Sequence, residues 1–202
     1  MGSVSGCRQV DSLMANAIPA RVAHEPAHGL HSLLRLPVRE VTFLPIQPID
    51  RLSLEQIAAQ LQARGVEVQL KPSILRPRGS YDAHRRQLKA DVLLERVALA
   101  AERPVIGITD GDCYAGTLNF VFGLAELGGG TAVVSLARLR ADASPSTFAA
   151  RAVMEICHEL GHAVGLRHCE NPRCVMCFSN SLAEADAKGE ELCASCMRRV
   201  RA

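Results

Sequence analysis

His158-Glu159-Leu160-Gly161-His162-Ala163-Val164-Gly165-Leu166-Arg167-His168 is the stretch around which the rest of the chain is organised. Positions i and i+4 share one face of a helix, so His158 and His162 aim both imidazoles at one point, with Glu159 beside that face. A continuing helix would carry His168 further along the axis and turn it away. The chain must therefore stop and double back, and Gly165 permits the bend because glycine reaches positive φ at little cost. Three imidazoles on one ion leave a fourth position for water, which is the arrangement of a catalytic rather than a structural zinc. Zinc lowers the pKa of that water to about 7, and Glu159 is placed to take its proton and pass it to a leaving amine. Peptide hydrolysis is the reaction this chemistry serves. A bare His-x-x-x-His with an intervening Glu arises by chance in many helices; Gly165 and His168 in register set this one apart.

A second group of metal-binding side chains follows at once. Cys169, Cys174 and Cys177 lie close together, and Cys193-Ala194-Ser195-Cys196 closes the cluster. Thiolates at Cys169, Cys174, Cys193 and Cys196 would complete a tetrahedral four-cysteine zinc site with no open position, hence a structural one. Cys174-Val175-Met176-Cys177 paired with Cys193-Ala194-Ser195-Cys196 offers a competing register with zinc-ribbon spacing. Either register supports a second zinc, which would staple a C-terminal segment that has few apolar residues of its own.

The chain has 202 residues, enough for one domain of ordinary size with a real apolar core. With 23 basic and 21 acidic residues and a net charge of +2, it offers no general case for nucleic acid or an anionic membrane. No apolar run approaches the roughly 20 residues of a membrane span, so a soluble chain is expected, and a monomer suffices. Eight cysteines could mean disulfides in a secreted protein, but the N-terminus lacks a basic segment, a continuous apolar core and a small-residue cleavage site. A reducing, cytoplasmic setting follows, and in it clustered cysteines are metal ligands rather than disulfide partners. Cys7, Cys113 and Cys157 stand apart, as a tail thiol and two buried small side chains.

Residues 1–36 mix short apolar pieces with Pro19, Pro26, Gly29 and the trio His24, His28 and His31, without periodicity, and read as a loosely ordered polar extension. Residues 37–202 read as one domain. Val41 to Ile46 is a first strand. Ser53, with Gln56, caps a helix running to Arg64, and Gly65 ends it. Val66 to Leu70 alternates as a second strand, and a long amphipathic helix is expected from about Asp82 to Glu102, burying Leu88, Val92, Leu93, Val97 and Leu99. Pro104 to Thr109 reads as a strand covered on both faces. Leu118 to Phe122 and Ala132 to Leu136 are further strands, separated by a flexible Gly128-Gly129-Gly130 turn, while Asp110 and Asp112 cap loops. Ser146 caps the helix that carries Ala149, Ala152, Val153 and Ile156 inward and ends in the histidine stretch. This order predicts an α/β fold with a largely parallel sheet.

The histidine pattern resembles the metzincin metalloproteases, in which a methionine-containing turn lies beneath the metal. The His168-Cys169 step, Cys174-Val175-Met176 and the closing Cys-x-x-Cys resemble the archaemetzincins in particular. Asp110-Gly111-Asp112-Cys113-Tyr114 and Asn119-Phe120-Val121-Phe122-Gly123-Leu124-Ala125 are similar to segments of that family, so the resemblance covers roughly 38–202. It implies a metzincin-like fold: a twisted, mostly parallel sheet with an antiparallel edge strand above the cleft (upper part 37–164) and a small zinc-stapled lower part (165–202). It implies that Met176 lies under the catalytic zinc, that Asn119, Phe120, Val121, Phe122 and Gly123 bind extended substrate, and that Cys169 rather than Cys177 completes the second site. Two zinc ions per chain are expected, one catalytic and one structural. The expected function is a zinc metallopeptidase acting on peptide or protein substrates; the contrasting reading, a zinc-bearing peptide-binding protein with little turnover, has no use for the Glu159 carboxylate.

Overall fold

The computed structural model describes residues 38–100 and 102–200; the extension expected over 1–36, with its histidines and Cys7, lies outside them. Five strands, β1 (Glu40–Pro45), β2 (Glu67–Leu70), β5 (Val105–Thr109), β7 (Gly123–Glu126) and β8 (Thr131–Ser135), form one sheet in the order β2-β1-β5-β8-β7. The first four are parallel, and β7 runs antiparallel to β8 at the edge. Every residue of β5 and β8 is buried, as a strand covered on both faces requires. Strand residues alternate between two apolar layers. Val41, Phe43, Ile106, Ile108, Ala132 and Val134 pack with α1 (Arg51–Ala63) and α3 (Pro145–Ala163), while Leu44, Val105 and Val133 pack with α2 (Ala90–Ala98).

Three expectations are corrected. The long helix from Asp82 to Glu102 is instead a hairpin, β3 (Tyr81–Asp82) and β4 (Gln87–Lys89), followed by the short helix α2. The Asp82 carboxylate accepts from the backbone N–H groups of His84 and Arg85, and Arg86 takes a positive φ of 57°, so a turn rather than a helix forms there. β4 then pairs in parallel with β6 (Cys113–Tyr114), burying Leu88; Leu99, expected in the core, is 77% exposed. The caps also differ, since Asp50 caps α1 and Ser144, one residue before Pro145, caps α3. Ser53 and Ser146 fall inside the helices. Finally, the edge strand is Gly123–Glu126 rather than Asn119 to Gly123, and the strand expected over Leu118 to Phe122 is a loop joined to Cys113 by one bridge at Val121.

That loop is held firmly. Arg85 donates to the Leu118 and Asn119 carbonyls, Gln87 donates to the Asn119 carbonyl, and the Arg138 guanidinium, paired with Asp112, lies over the Phe120 ring at 4.1 Å. The chain beyond α3 forms the lower part, with two short helices, α4 (Leu182–Ala187) and α5 (Ala194–Val200). Among the described residues no helix is long and apolar enough to cross a membrane.

Candidate metal centre

Helix α3 runs along the sheet and delivers His158 and His162 in its last two turns. It ends where glycine allows: Gly165 has φ of 100°, its N–H donates to the His162 carbonyl and that of Leu166 to the Gly161 carbonyl. This left-handed cap reverses the chain and returns His168 to the other two rings, 5.4 Å from His158 and 4.8 Å from His162 between centroids. The triple-glycine turn has a part in this cap, because Gly128 and Gly130 donate to the His162 and Ala163 carbonyls that the helix leaves open.

Hydrogen bonds fix how the imidazoles face. His158 Nδ1 lies 2.7 Å from the Val175 carbonyl and His162 Nδ1 lies 2.7 Å from the Leu166 carbonyl. A carbonyl only accepts, so both Nδ1 atoms carry the proton and both Nε2 atoms present lone pairs. Those two Nε2 atoms are 3.1 Å apart. Two lone pairs facing each other at that distance repel unless a cation lies between them. Two nitrogens bound at 2.0–2.1 Å to a tetrahedral zinc would be about 3.3 Å apart. Donor type, tautomer and spacing all fit that ion, with the three histidines' ligand atoms within 4.8 Å of one another.

Met176 is fully buried below this group, and its Sδ packs against Gly161, where any side chain would collide with it. The residue before it, Val175, supplies the carbonyl that orients His158. Sequence alone missed Phe178, 45% exposed, whose ring lies 4.9 Å from that of His168 and forms an apolar rim to the site. Its position two residues after Met176 was the available signal.

Glu159 is buried beside the histidines, and its Oε2 has no hydrogen-bond partner in the protein. A Cβ added at Gly123, the first residue of the edge strand, would come within 2.5 Å of Glu159 Oε1. A glycine is therefore required where the strand crosses this carboxyl. In the metal-free chain, burial first and the Glu155 carboxylate second push Glu159 well above the ordinary carboxylate range. Burial also holds His158 and His162 below the usual value of 6.5 and His168 at about 4.

A pH dependence follows. The unfolded chain takes up protons near pH 6.5 at imidazoles that the folded, metal-free chain keeps neutral. The stability attached to these neutral rings is complete above pH 6.5 and is lost as pH falls toward 4. Thermal midpoints of protein stripped of metal at the histidine group should be flat above that window and fall within it. Midpoints constant across it would mean that the rings are solvated.

The second cluster brings together the sulfurs of Cys169, Cys174, Cys193 and Cys196, all within 4.8 Å of one another. Cys169 and Cys193 are 3.8 Å apart, as are Cys174 and Cys196. Four thiolates at 2.3 Å around a tetrahedral zinc are about 3.8 Å apart, so the cage has the size of that ion. Cys196 lies in the first turn of α5 and Cys193 directly before it, and the Cys196 backbone N–H chiefly holds the Cys193 thiol down to about 6. Cys177 points elsewhere, with its thiol 3.7 Å from the Phe178 carbonyl. Cys113 and Cys157 are buried, which pushes both thiols up to about 12 and leaves them inert.

Residues 80–202 match the pattern of peptidase family M54. An archaemetzincin of Methanocaldococcus jannaschii is 38% identical over 165 residues, covering 77% of this chain and 91% of the relative. One of Natronomonas pharaonis is 34% identical over 200 residues, covering 95% and 98%. Among solved structures, the archaemetzincin of Archaeoglobus fulgidus complexed with malonate superposes with a TM-score of 0.73 at 36% identity, covering 79% of this chain and 99% of that one. That of Methanopyrus kandleri gives 0.73 at 34%, covering 82% and 94%.

Proposed function

The chain belongs to peptidase family M54, the archaemetzincins, and is a zinc metallopeptidase; from that premise we propose that it holds two zinc ions, one catalytic at His158, His162 and His168 and one structural at Cys169, Cys174, Cys193 and Cys196. Held by His158, His162 and His168, zinc would supply Lewis acidity, lowering the pKa of a bound water to about 7 and polarising a carbonyl oxygen. Glu159 accepts the proton of the attacking water at Oε2 and returns it to the departing amine nitrogen. The observation that carries this reading is the buried, unpartnered Oε2 beside two inward-facing imidazole lone pairs. A carboxylate oxygen is left without a partner in the interior at considerable cost, and a water bound in the site offers it one.

The substrate chain lies extended along the rim formed by Asn119, Phe120, Val121, Phe122 and Gly123, continuing onto β7, whose outer edge is the edge of the sheet. Met176 supports the histidines from below. The lower part, 165–202, folds around its thiolate cage, and the upper part, 37–164, supplies the sheet and the first two histidines. The seven described cysteines are all free, which supports a reducing, cytoplasmic setting. One chain carries every residue of the site, so a monomer suffices, and the near balance of charge gives no reason to invoke nucleic acid.

The zinc-loaded protein, incubated with a degenerate peptide library and read by mass spectrometry, should cut a definable subset. A chelator should stop the cutting and added zinc restore it. Failure to cut any peptide with both clusters filled would overturn the proton-transfer reading in favour of a peptide-binding protein.

A further inference from the structure

On helix α3, Arg151, Glu155 and Glu159 are spaced four apart and share one face. Opposite them lies the C-terminal end of α4, with Asp186 and Lys188. Arg151 forms a two-pronged pair with Asp186 at 2.7 and 2.6 Å. One turn on, Lys188 Nζ lies 3.9 Å from Glu155 Oε2, with side chains only 2% and 5% exposed. A further turn on is Glu159, beside the histidines. A ladder of charge thus runs along α3 to the site, from the pair of Arg151 with the exposed Asp186 to the buried Lys188, Glu155 and Glu159, and only Arg151 and Asp186 are closed into a tight pair.

Lys188 is not bonded to Glu155 at hydrogen-bonding distance. Its ammonium donates at 3.4 Å to the carbonyl of Cys177, the residue after Met176, and so stands between α3 and the turn beneath the histidines. Glu155 and Glu159, by contrast, are neighbours one turn apart in the interior, where two negative charges would repel strongly. Gly123 closes the other side of Glu159, so that the carboxyl has no room to retreat toward the edge strand. Its place therefore depends on how the charge of Glu155 is balanced.

We propose that Lys188 is a positioning residue for Glu159: its ammonium holds the Glu155 carboxylate toward α4, so that the Glu159 carboxylate keeps its slot against Gly123 with Oε2 free. The inference rests on the reading of Glu159 as the proton acceptor. A purely structural pair would behave differently, because replacing a buried ion pair by neutral side chains of similar size is often harmless to the fold. Here the partners should matter to turnover and should matter only when unbalanced.

Three variants test this: Lys188→Met, Glu155→Gln and the two combined. In Lys188→Met the repulsion between the carboxylates is uncompensated; in Glu155→Gln the ammonium is drawn to Glu159 instead. Misplacing a reacting group by about 1 Å can cost on the order of 10²-fold. Each single variant should therefore lower kcat roughly tenfold or more, with KM nearly unchanged, on a quenched-fluorescence peptide that the wild-type protein cuts. The double variant restores charge balance and should recover most of that loss, a non-additivity expected of groups acting through one another. Crystal structures should place the Glu159 carboxyl out of its slot in the singles and back in it in the double, independently of turnover.

Zinc content and unfolding midpoint establish that each variant is folded. Should Lys188→Met fail to fold, Glu155→Gln leaves Lys188 and the Arg151–Asp186 pair in place and carries the test alone. Wild-type kcat and an unmoved Glu159 in the singles, or a double variant no better than either, overturn the inference. If Glu159→Gln is inactive at the same time, the reading of Glu159 itself stands; if Glu159→Gln is as active as wild type, both fail.

Discussion

Glu159→Gln is expected to reduce peptide hydrolysis by at least about a hundredfold while leaving the fold, the zinc content and peptide binding close to those of the wild-type protein. The amide has nearly the size of the carboxyl, so it fits the slot against Gly123, where a Cβ would already come within 2.5 Å of Glu159 Oε1. It can still hydrogen-bond a water. It cannot accept that water's proton. General acid-base assistance is typically worth 10² to 10⁴ in rate, and one carboxylate here serves both the attack and the departure. The loss should fall on kcat and on kcat/KM alike, the signature of an interaction made in the transition state. Steady-state kinetics on a cut peptide, with metal analysis of the same preparation, reads both halves. Wild-type turnover in a zinc-filled variant would remove Glu159 from the mechanism; equal ligand binding by both proteins with no cutting by either would favour the peptide-binding reading.

The site was largely legible in the sequence because its geometry is local. Helical spacing brings His158 and His162 together, a glycine cap returns His168, and all three meet within eleven residues of chain. The Cys169, Cys174, Cys193 and Cys196 group was legible as cysteine clustering, but spacing left two registers open. The structure groups these four and leaves Cys177 turned to a backbone carbonyl, a difference of side-chain direction that spacing does not carry. Long-range partners were invisible: the Val175 carbonyl that sets the His158 tautomer and Gly123 against Glu159 depend on how the lower part and the edge strand fold back onto α3.

The sheet was legible where strands are continuous apolar runs, as in β5 and β8. It was not legible between Asp82 and Lys89, where apolar spacing imitates a helix. There the local hydrogen bonds of Asp82 and the pairing of Leu88 with Cys113 outweigh a weak helical preference. The edge strand was misplaced for a related reason. Phe120 and Phe122 look like strand residues, but their rings pack on each other at 5.1 Å with Phe120 beneath Arg138, in a loop fixed by side chains rather than by a ladder.

The second large effect is expected at the thiolate cage, and it separates the two cysteine registers in solution. Cys169→Ser removes a sulfur that lies 3.8 Å from Cys193 and within 4.8 Å of all three other members. Binding free energies of structural zinc in small folds are roughly 10–16 kcal/mol, so losing one thiolate of four should cost on the order of 3 kcal/mol. For a chain of this length that corresponds to a fall in thermal midpoint of about 6–12 °C. The two helices of the lower part bury little of their own, only Ala185 and Cys196, so the lower part leans on the cage together with Leu166, Val175, Met176 and Leu192, which pack into the main core. Loosening it should also loosen the turn at Val175 and Met176 that orients His158, so activity should fall with the structural zinc rather than independently of it. Cys177→Ser should leave zinc retention unchanged and stability within about 0.5 kcal/mol of the wild-type value, the usual range for a substitution away from such a feature. Zinc release timed with a chromogenic chelator, alongside thermal unfolding, measures both. Rapid release from Cys177→Ser with slow release from Cys169→Ser would make Cys177 the fourth ligand in place of Cys169.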